Sequence, residues 1–247
     1  ELHERNDDLN RVNAKLLEAS TTDALTGLRN RRYLFQNIEQ HVDLVLRHYR
    51  DGVPDTPPGS NSDLLFLMVD LDNFKPVNDS CGHEAGDELL LQIRDVLLDA
   101  CRYSDDVIRW GGDEFMVIGN TASPHTVEQL AERIRANLAG HRFALGNGHV
   151  GRLSGSIGFA MYPFAPSSSR SLHWEQVVAV ADHAAYTAKK NGRNAWLGVY
   201  GTRKSSWEEL ARTNINLPAL ARQQVVNLRS SLPRLEEYVE KTVQEQA

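Results

Sequence analysis

Cysteine is scarce in this chain: two among 247 residues, Cys81 and Cys101, with neither metal-ligand nor redox spacing. They read as apolar side chains of a reducing compartment rather than as a disulfide. Long hydrophobic runs are missing as well. No stretch approaches the roughly 20 residues that span a bilayer, and no signal peptide is apparent. Nor is there a dense basic segment: 27 basic residues face 33 acidic ones, a net charge of −6. That balance argues against a nucleic-acid polymer as partner. These absences predict a cytoplasmic protein, or the cytoplasmic part of a membrane-anchored parent. The chain begins at Glu1 rather than methionine and is expected to be a fragment. What is present is 41% hydrophobic residues, enough for one domain of ordinary size plus extensions.

The most informative stretch is Arg109-Trp-Gly111-Gly112-Asp113-Glu114-Phe115, followed by Met116-Val117-Ile118. An apolar run ends, two glycines turn the chain, two carboxylates follow, and a second apolar run begins. This predicts a β-hairpin with acids at its tip. Glycine at both turn positions would permit positive φ and leave room for another molecule against the backbone. Adjacent acids on a rigid tip suit a divalent metal holding phosphates. A solvated hairpin tip explains the same string about as well by itself.

In chain order, Leu2, Leu9 and Leu16, with Arg5, Val12 and Ala19 between them, have the a/d spacing of a short parallel coiled coil. An ordinary amphipathic helix is the alternative. Ser20 to Asp23 offers capping side chains, and a helix is expected from Asn30 to about Arg47, with Leu34, Phe35, Ile38, Val42, Val45 and Leu46 at helical spacing. Asp51 to Asp63, with three prolines and two glycines, reads as a loop. Leu64–Val69 is continuously apolar, as in a strand buried on both faces, and ends in Asp70. Leu71 to Lys75 then reads as a turn whose amides could cradle phosphate. Helices are expected after Asp87, from Pro124 to about Leu138, and from Trp174 to Lys190 with a C-cap at Asn191-Gly192. Strands are expected at Phe143–Leu145 and Gly151–Tyr162, and a final one at Ala195–Tyr200. Beyond Gly201 the reading is one to three surface helices without chemistry.

Together these pieces resemble the GGDEF family, the diguanylate cyclases. The matching segments, in family order, are Asp23-Ala-Leu-Thr-Gly-Leu-Arg-Asn-Arg-Arg32, Val69-Asp-Leu-Asp-Asn-Phe-Lys75, Asn78-Asp79, Gly82-His83 with Gly86-Asp87, and Arg109–Phe115. Ala131–Arg135, Ser156-Ile-Gly158, Ala181-Asp182, Ala188-Lys189 and Gly192-Arg193-Asn194 follow. They span residues 20–200, leaving 1–19 as a signalling helix and 201–247 as a helical extension. Trp110 stands where tyrosine is usual, Ser80 where threonine is usual, and the Asp51–Asp63 loop is long.

The resemblance implies an α/β (α+β) fold, similar to nucleotide cyclases and polymerase palms, with a five-stranded, largely antiparallel sheet wrapped by helices. It implies condensation of two GTP into cyclic di-GMP with loss of two pyrophosphates, by a homodimer under an upstream sensor domain. Asp70 and Asp113, with the Leu71 carbonyl, match the family's metal ligands, and hard Mg²⁺ or Mn²⁺ suits such oxygens. Glu114 matches either a second-metal ligand or a group assisting deprotonation of the attacking 3′-OH. Asn78 and Asp87 match the guanine-reading pair. A carboxylate accepts from guanine N1–H and N2–H₂, an edge adenine lacks. His83 matches a position beside the nucleotide, although helix packing would explain it too. Lys189 and Arg193, the amides at Phe74 and Lys75, and the open backbone of Gly111 and Gly112 match the triphosphate contacts. Arg102 and Asp105 match the product-inhibition site, with Arg133 as a further clasp for cyclic di-GMP. A GGDEF domain that only binds nucleotide would usually have lost an acid of the motif. A bare dimerisation module would leave Asn78, Asp87, Lys189 and Arg193 unexplained.

Overall fold

The computed structural model describes residues 20–50, 63–121, 123–146, 148–165 and 172–233, with 235, 237 and 239. The expected heptad helix at 1–19 and most of the expected loop at 51–63 lie outside the described residues. In chain order the elements are β1 (Arg29–Asn30), α1 (Arg31–Arg50), β2 (Asp63–Leu71), α2 (Phe74–Cys81), α3 (His83–Ala100), β3 (Asp106–Arg109) and β4 (Glu114–Thr121). There follow α4 (Pro124–Gly140), β5 (Phe143–Ala144), β6 (Val150–Gly151), β7 (Gly155–Tyr162), α5 (Trp174–Lys190), β8 (Trp196–Gly201), α6 (Trp207–Arg212), α7 (Leu217–Arg222) and β9 (Val226–Ser230).

One sheet organises them, in the order β1-β3-β4-β2-β7-β8-β9. Strand β2 lies at its centre, antiparallel to β4 on one side and to β7 on the other. Its apolar run explains the position. Side chains alternate across a strand. Leu64, Phe66 and Met68 therefore enter the cluster beneath α1 and α5, whereas Leu65, Leu67 and Val69 enter the one beneath α3 and α4. A strand with polar residues on either face could not sit there. The register brings Asp70 opposite Glu114 on β4 and Ser156 on β7. The polar residues that follow the apolar run thus emerge at one edge of the sheet. Among the described residues no helix is long and apolar enough to cross a membrane.

The mixed, helix-wrapped sheet agrees with the expected fold, and five local details differ. The sheet has seven strands rather than five, because two-residue β1 pairs in parallel with β3 and β9 pairs antiparallel with β8. Over its described residues the extension beyond Gly201 therefore packs into the domain instead of forming surface helices alone. Leu210, Leu217, Leu220, Val225 and Val226 are all buried in the cluster under α1 and α5. Helix α1 is capped by Asn30, whose Oδ1 accepts from the amides of Arg32 and Tyr33. Asp23 instead closes its own turn by accepting from the Thr26 amide and hydroxyl. Finally, the expected strand 151–162 is split into β6 and β7, and the expected turn at 71–75 opens into α2.

Candidate active site

The site is assembled where β2 ends beside the β3–β4 hairpin. The amides of Trp110 and Gly111 both donate to the Glu114 carbonyl, at 2.9 and 3.2 Å, closing the loop. The Leu71 amide donates to the Asp113 carbonyl at 3.1 Å, tying that loop to the end of β2. Neither Gly111 nor Gly112 has positive φ, contrary to the expected turn. At Gly111 a Cβ would lie 2.7 Å from Glu114 Oε2, so a side chain there would make the Glu114 carboxylate swing away. Gly112 faces open space, with nothing within 4 Å of where its Cβ would stand.

Asp70, Leu71, Asp113 and Glu114 are brought together as expected. Lys189 reaches them from the last turn of α5. Its Nζ donates to Asp70 Oδ1 at 2.6 Å and to the Leu71 carbonyl at 3.1 Å. The lysine expected to hold phosphate thus sits on the two oxygens expected to hold metal. Burial raises the Asp70 pKa above its ordinary value, and the charges of Asp113 and Asp72 add to that against the opposing effect of Lys189. Glu114 is raised as well, by burial first and then by Asp182, Asp70 and Asp113. Five acids, Asp70, Asp72, Asp113, Glu114 and Asp182, crowd one corner, a cost that an added cation would relieve.

Among the described residues no cluster of three or more His, Cys, Asp or Glu side chains is arranged to hold a metal. The donor set is mixed instead, two carboxylates and a main-chain carbonyl. It fits a hard divalent ion, because Asp70 Oδ1 and the Leu71 oxygen already converge on one cation, the Lys189 ammonium.

A second cluster forms where α2 meets α3. Asn78 lies on α2 and packs over Gly86, where a Cβ would stand 1.7 Å from Asn78 Oδ1. That oxygen is buried and has no hydrogen-bond partner among the described residues. His83 and Asp87, four residues apart and both exposed, share one face of α3. Asp87 lies in the second helical turn, because α3 begins earlier than its sequence suggested. Helix α2 starts at Phe74, behind a left-handed Asn73 that makes no side-chain cap bond, so its first amides, including Lys75, are available to an anion. Arg193 follows α5 in a left-handed conformation, φ 60°, and its side chain is exposed.

The expected product site also forms one cleft, which Arg102, Asp105 and Arg133 line together with Leu65, Gly119 and Leu130. The Arg102 amide donates to Asp105 Oδ2 at 2.8 Å, and Arg133 Nε to the Ala100 carbonyl at 2.7 Å. Strand β3 joins this cleft to the Gly-Gly loop.

Sequence reasoning missed three contributors. Arg109 bridges Asp23 Oδ1 and the Gly112 carbonyl, both at 3.0 Å, anchoring the loop to the start of the domain. Gly86 is needed so that Asn78 can lie across α3. Asp72 is 1% exposed and accepts three hydrogen bonds. All three stand inside matched motifs, but only their contacts reveal what they do.

The chain belongs to the GGDEF family: the family profile described as "Diguanylate cyclase, GGDEF domain" matches residues 20–195. It is 37% identical over 175 residues to diguanylate cyclase DosC of Escherichia coli K12, covering 70% of this chain and 34% of that protein. It thus spans about a third of that relative's length. Among solved structures it is similar to the GGDEF domain of PA1120 from Pseudomonas aeruginosa, with a TM-score of 0.59 and 30% identity over 70% of this chain and 91% of that one. It also resembles the GGDEF domain of DgcB from Caulobacter crescentus in complex with c-di-GMP, with a TM-score of 0.56, 26% identity, and coverage of 70% and 92%.

Proposed function

We propose that this chain is a metal-dependent diguanylate cyclase. Two GTP molecules, one held by each of two facing domains, are joined into cyclic di-GMP, and two pyrophosphates leave. The observation that carries this reading is the convergence of Asp70 Oδ1 and the Leu71 carbonyl on a cation beside Asp113 and Glu114. Bound Mg²⁺ or Mn²⁺ would neutralise phosphate charge and lower the pKa of the attacking 3′-OH. Asp70, Leu71 and Asp113 would hold it. Glu114, with its raised pKa, either joins them or accepts the 3′-OH proton.

The chain's other residues bind and orient. Asn78, whose buried oxygen lacks a donor, and Asp87 read the guanine edge, which selects GTP over ATP. His83 flanks the nucleotide from the same face of α3. Amides at Phe74 and Lys75 cradle phosphate, and the open backbone at Gly111 and Gly112 admits it. Lys189 and Arg193 grip the terminal phosphates, with Lys189 exchanging Asp70 for that partner. Arg102, Asp105 and Arg133 bind cyclic di-GMP and slow the enzyme. The complex of the DgcB domain with c-di-GMP supports product binding within this fold.

Each domain holds half of the reactants, so the rate depends on pairing two copies, with residues 1–19 and an upstream sensor setting that pairing. Incubation with GTP and Mg²⁺ tests the reading. Cyclic di-GMP and pyrophosphate are expected, with specific activity falling on dilution and falling further without residues 1–19. Absence of product at every protein concentration would refute the enzyme. Dilution-independent activity would refute the pairing.

A further inference from the structure

Asp72 stands two residues beyond Asp70 yet makes no ion pair among the described residues and is 1% exposed. A buried carboxylate without a cation is costly unless donors surround it. Here they do. Ser154 Oγ donates to Oδ2 at 2.6 Å, Ser156 Oγ to Oδ1 at 2.7 Å, and the Asn194 amide to Oδ2 at 3.0 Å. The Asp72 amide returns a bond to the Ser154 carbonyl at 2.9 Å. One side chain thus joins the end of β2, the start of β7 and the turn after α5.

That turn is Asn191–Asn194, and it carries Arg193. Arg193 and Asn194 are consecutive non-glycine residues in the left-handed region, at φ 60° and 44°. Left-handed backbone is disfavoured for residues with a Cβ, so contacts from outside help to hold the turn. Two side chains do so at Asn194. Arg135 Nη1 donates to Asn194 Oδ1 at 2.9 Å, and Arg135 is itself fixed by Glu132 at 2.6 and 2.9 Å. Asp72 takes the Asn194 amide from the opposite side. The Arg193 amide donates to the Ala188 carbonyl at 3.1 Å, which ties the start of the turn to α5. Arg135 stands outside the sheet, whereas Asp72 adjoins Leu71, so Asp72 is the side chain that ties the Asn194 end of the turn directly to the end of β2.

We propose that Asp72 is a positioning residue for the phosphate grip: its carboxylate fixes the turn bearing Arg193 relative to the Leu71 carbonyl and the start of α2. The proposal rests on the cyclase reading above. It also accounts for the paired serines Ser154 and Ser156, which orient both carboxylate oxygens so that one is left to face the turn.

Asp72→Ala and Asp72→Asn separate positioning from bulk structure. In the asparagine variant the serine hydroxyls can rotate to accept, so the amide oxygen can still take the Asn194 N–H. In the alanine variant nothing takes it. Asp72→Ala is expected to weaken GTP, read by equilibrium binding and as KM, by about 10- to 100-fold, with a smaller change in kcat. Asp72→Asn is expected to restore most of that loss. With Arg193→Ala already in place, Asp72→Ala should weaken GTP by no more than a further twofold or so, because the two act as a unit. Binding of cyclic di-GMP at the Arg102 cleft reports the fold independently and should be unchanged. Should Asp72→Ala not fold, Asp72→Ser carries the same expectation, since it keeps a polar group in the buried site but ends short of the Asn194 amide. Unchanged GTP affinity in the folded variant, or full multiplication with Arg193→Ala, would overturn the proposal. Failure of the unaltered protein to bind GTP would overturn the cyclase reading instead.

Discussion

The corner at Asp70, Asp113 and Glu114 and the extension after Gly201 are built on opposite principles. The corner gathers like charges at a sheet end, raises two of their pKa values by burial and mutual repulsion, and offsets them with one lysine. The extension holds little charge in its buried part. It places Leu210, Leu217, Leu220, Val225 and Val226 under α1 and α5 and finishes the sheet with β9. Burying like charges at the corner costs local free energy, and burying apolar side chains in the extension recovers it. Substitutions at the corner should therefore remove activity and spare the fold, while those in the extension should do the reverse.

The sharpest break of that contrast is Asp113→Ala. Cyclic di-GMP synthesis should fall by about 10³-fold or more while the melting temperature does not fall. A large loss of stability would show that the corner is structural. The opposite arm is Leu220→Ala. Leu220 is fully buried, so about 2–5 kcal/mol of unfolding free energy should be lost in denaturant titration. Activity per folded molecule should persist, and a variant of native stability without activity would give the extension a catalytic part. Arg102→Ala tests the far end of the hairpin. The cyclic di-GMP concentration for half-inhibition should rise by about 10- to 100-fold, following the loss of one charge-assisted contact worth roughly 1.5–3 kcal/mol. An unchanged inhibition curve would make that cleft an ordinary surface.

The smallest effect, Glu114→Gln, carries a pH signature. The folded pKa of Glu114 is raised, so the folded state binds this proton more tightly than the unfolded chain does. Ionised Glu114 thus opposes folding above its folded pKa, and that penalty disappears as pH falls through it. Glu114→Gln should melt slightly higher near neutral pH, and the gain should vanish on acidification. A gain that grows on acidification would reverse the sign of this argument.

Much of the corner could be read in advance because its chemistry is local. Leu64–Val69 can only be a central strand, and the polar residues after it must emerge at one end of the sheet. The Gly-Gly-Asp-Glu string marks the neighbouring hairpin. The extension could not be read that way. Helices α6 and α7 are six residues each, and Val226–Ser230 has no strand signal until β8 offers an open edge. The short helix α2 was likewise hidden by Pro76, which is tolerated near a helix start.

By itself the sequence determined the family, the central strand, the acids at its end and the residue types that suit a guanine nucleotide. Those properties follow from side-chain chemistry and from periodicities of two and 3.6 residues. Tertiary structure alone decided that Lys189 rests on Asp70 and Leu71, that Gly111 yields to Glu114 rather than to a turn, and that Asp72 joins three distant segments. Such contacts link residues some 3 to 122 positions apart, and a chain's local pattern carries no record of which distant donor will meet which acceptor.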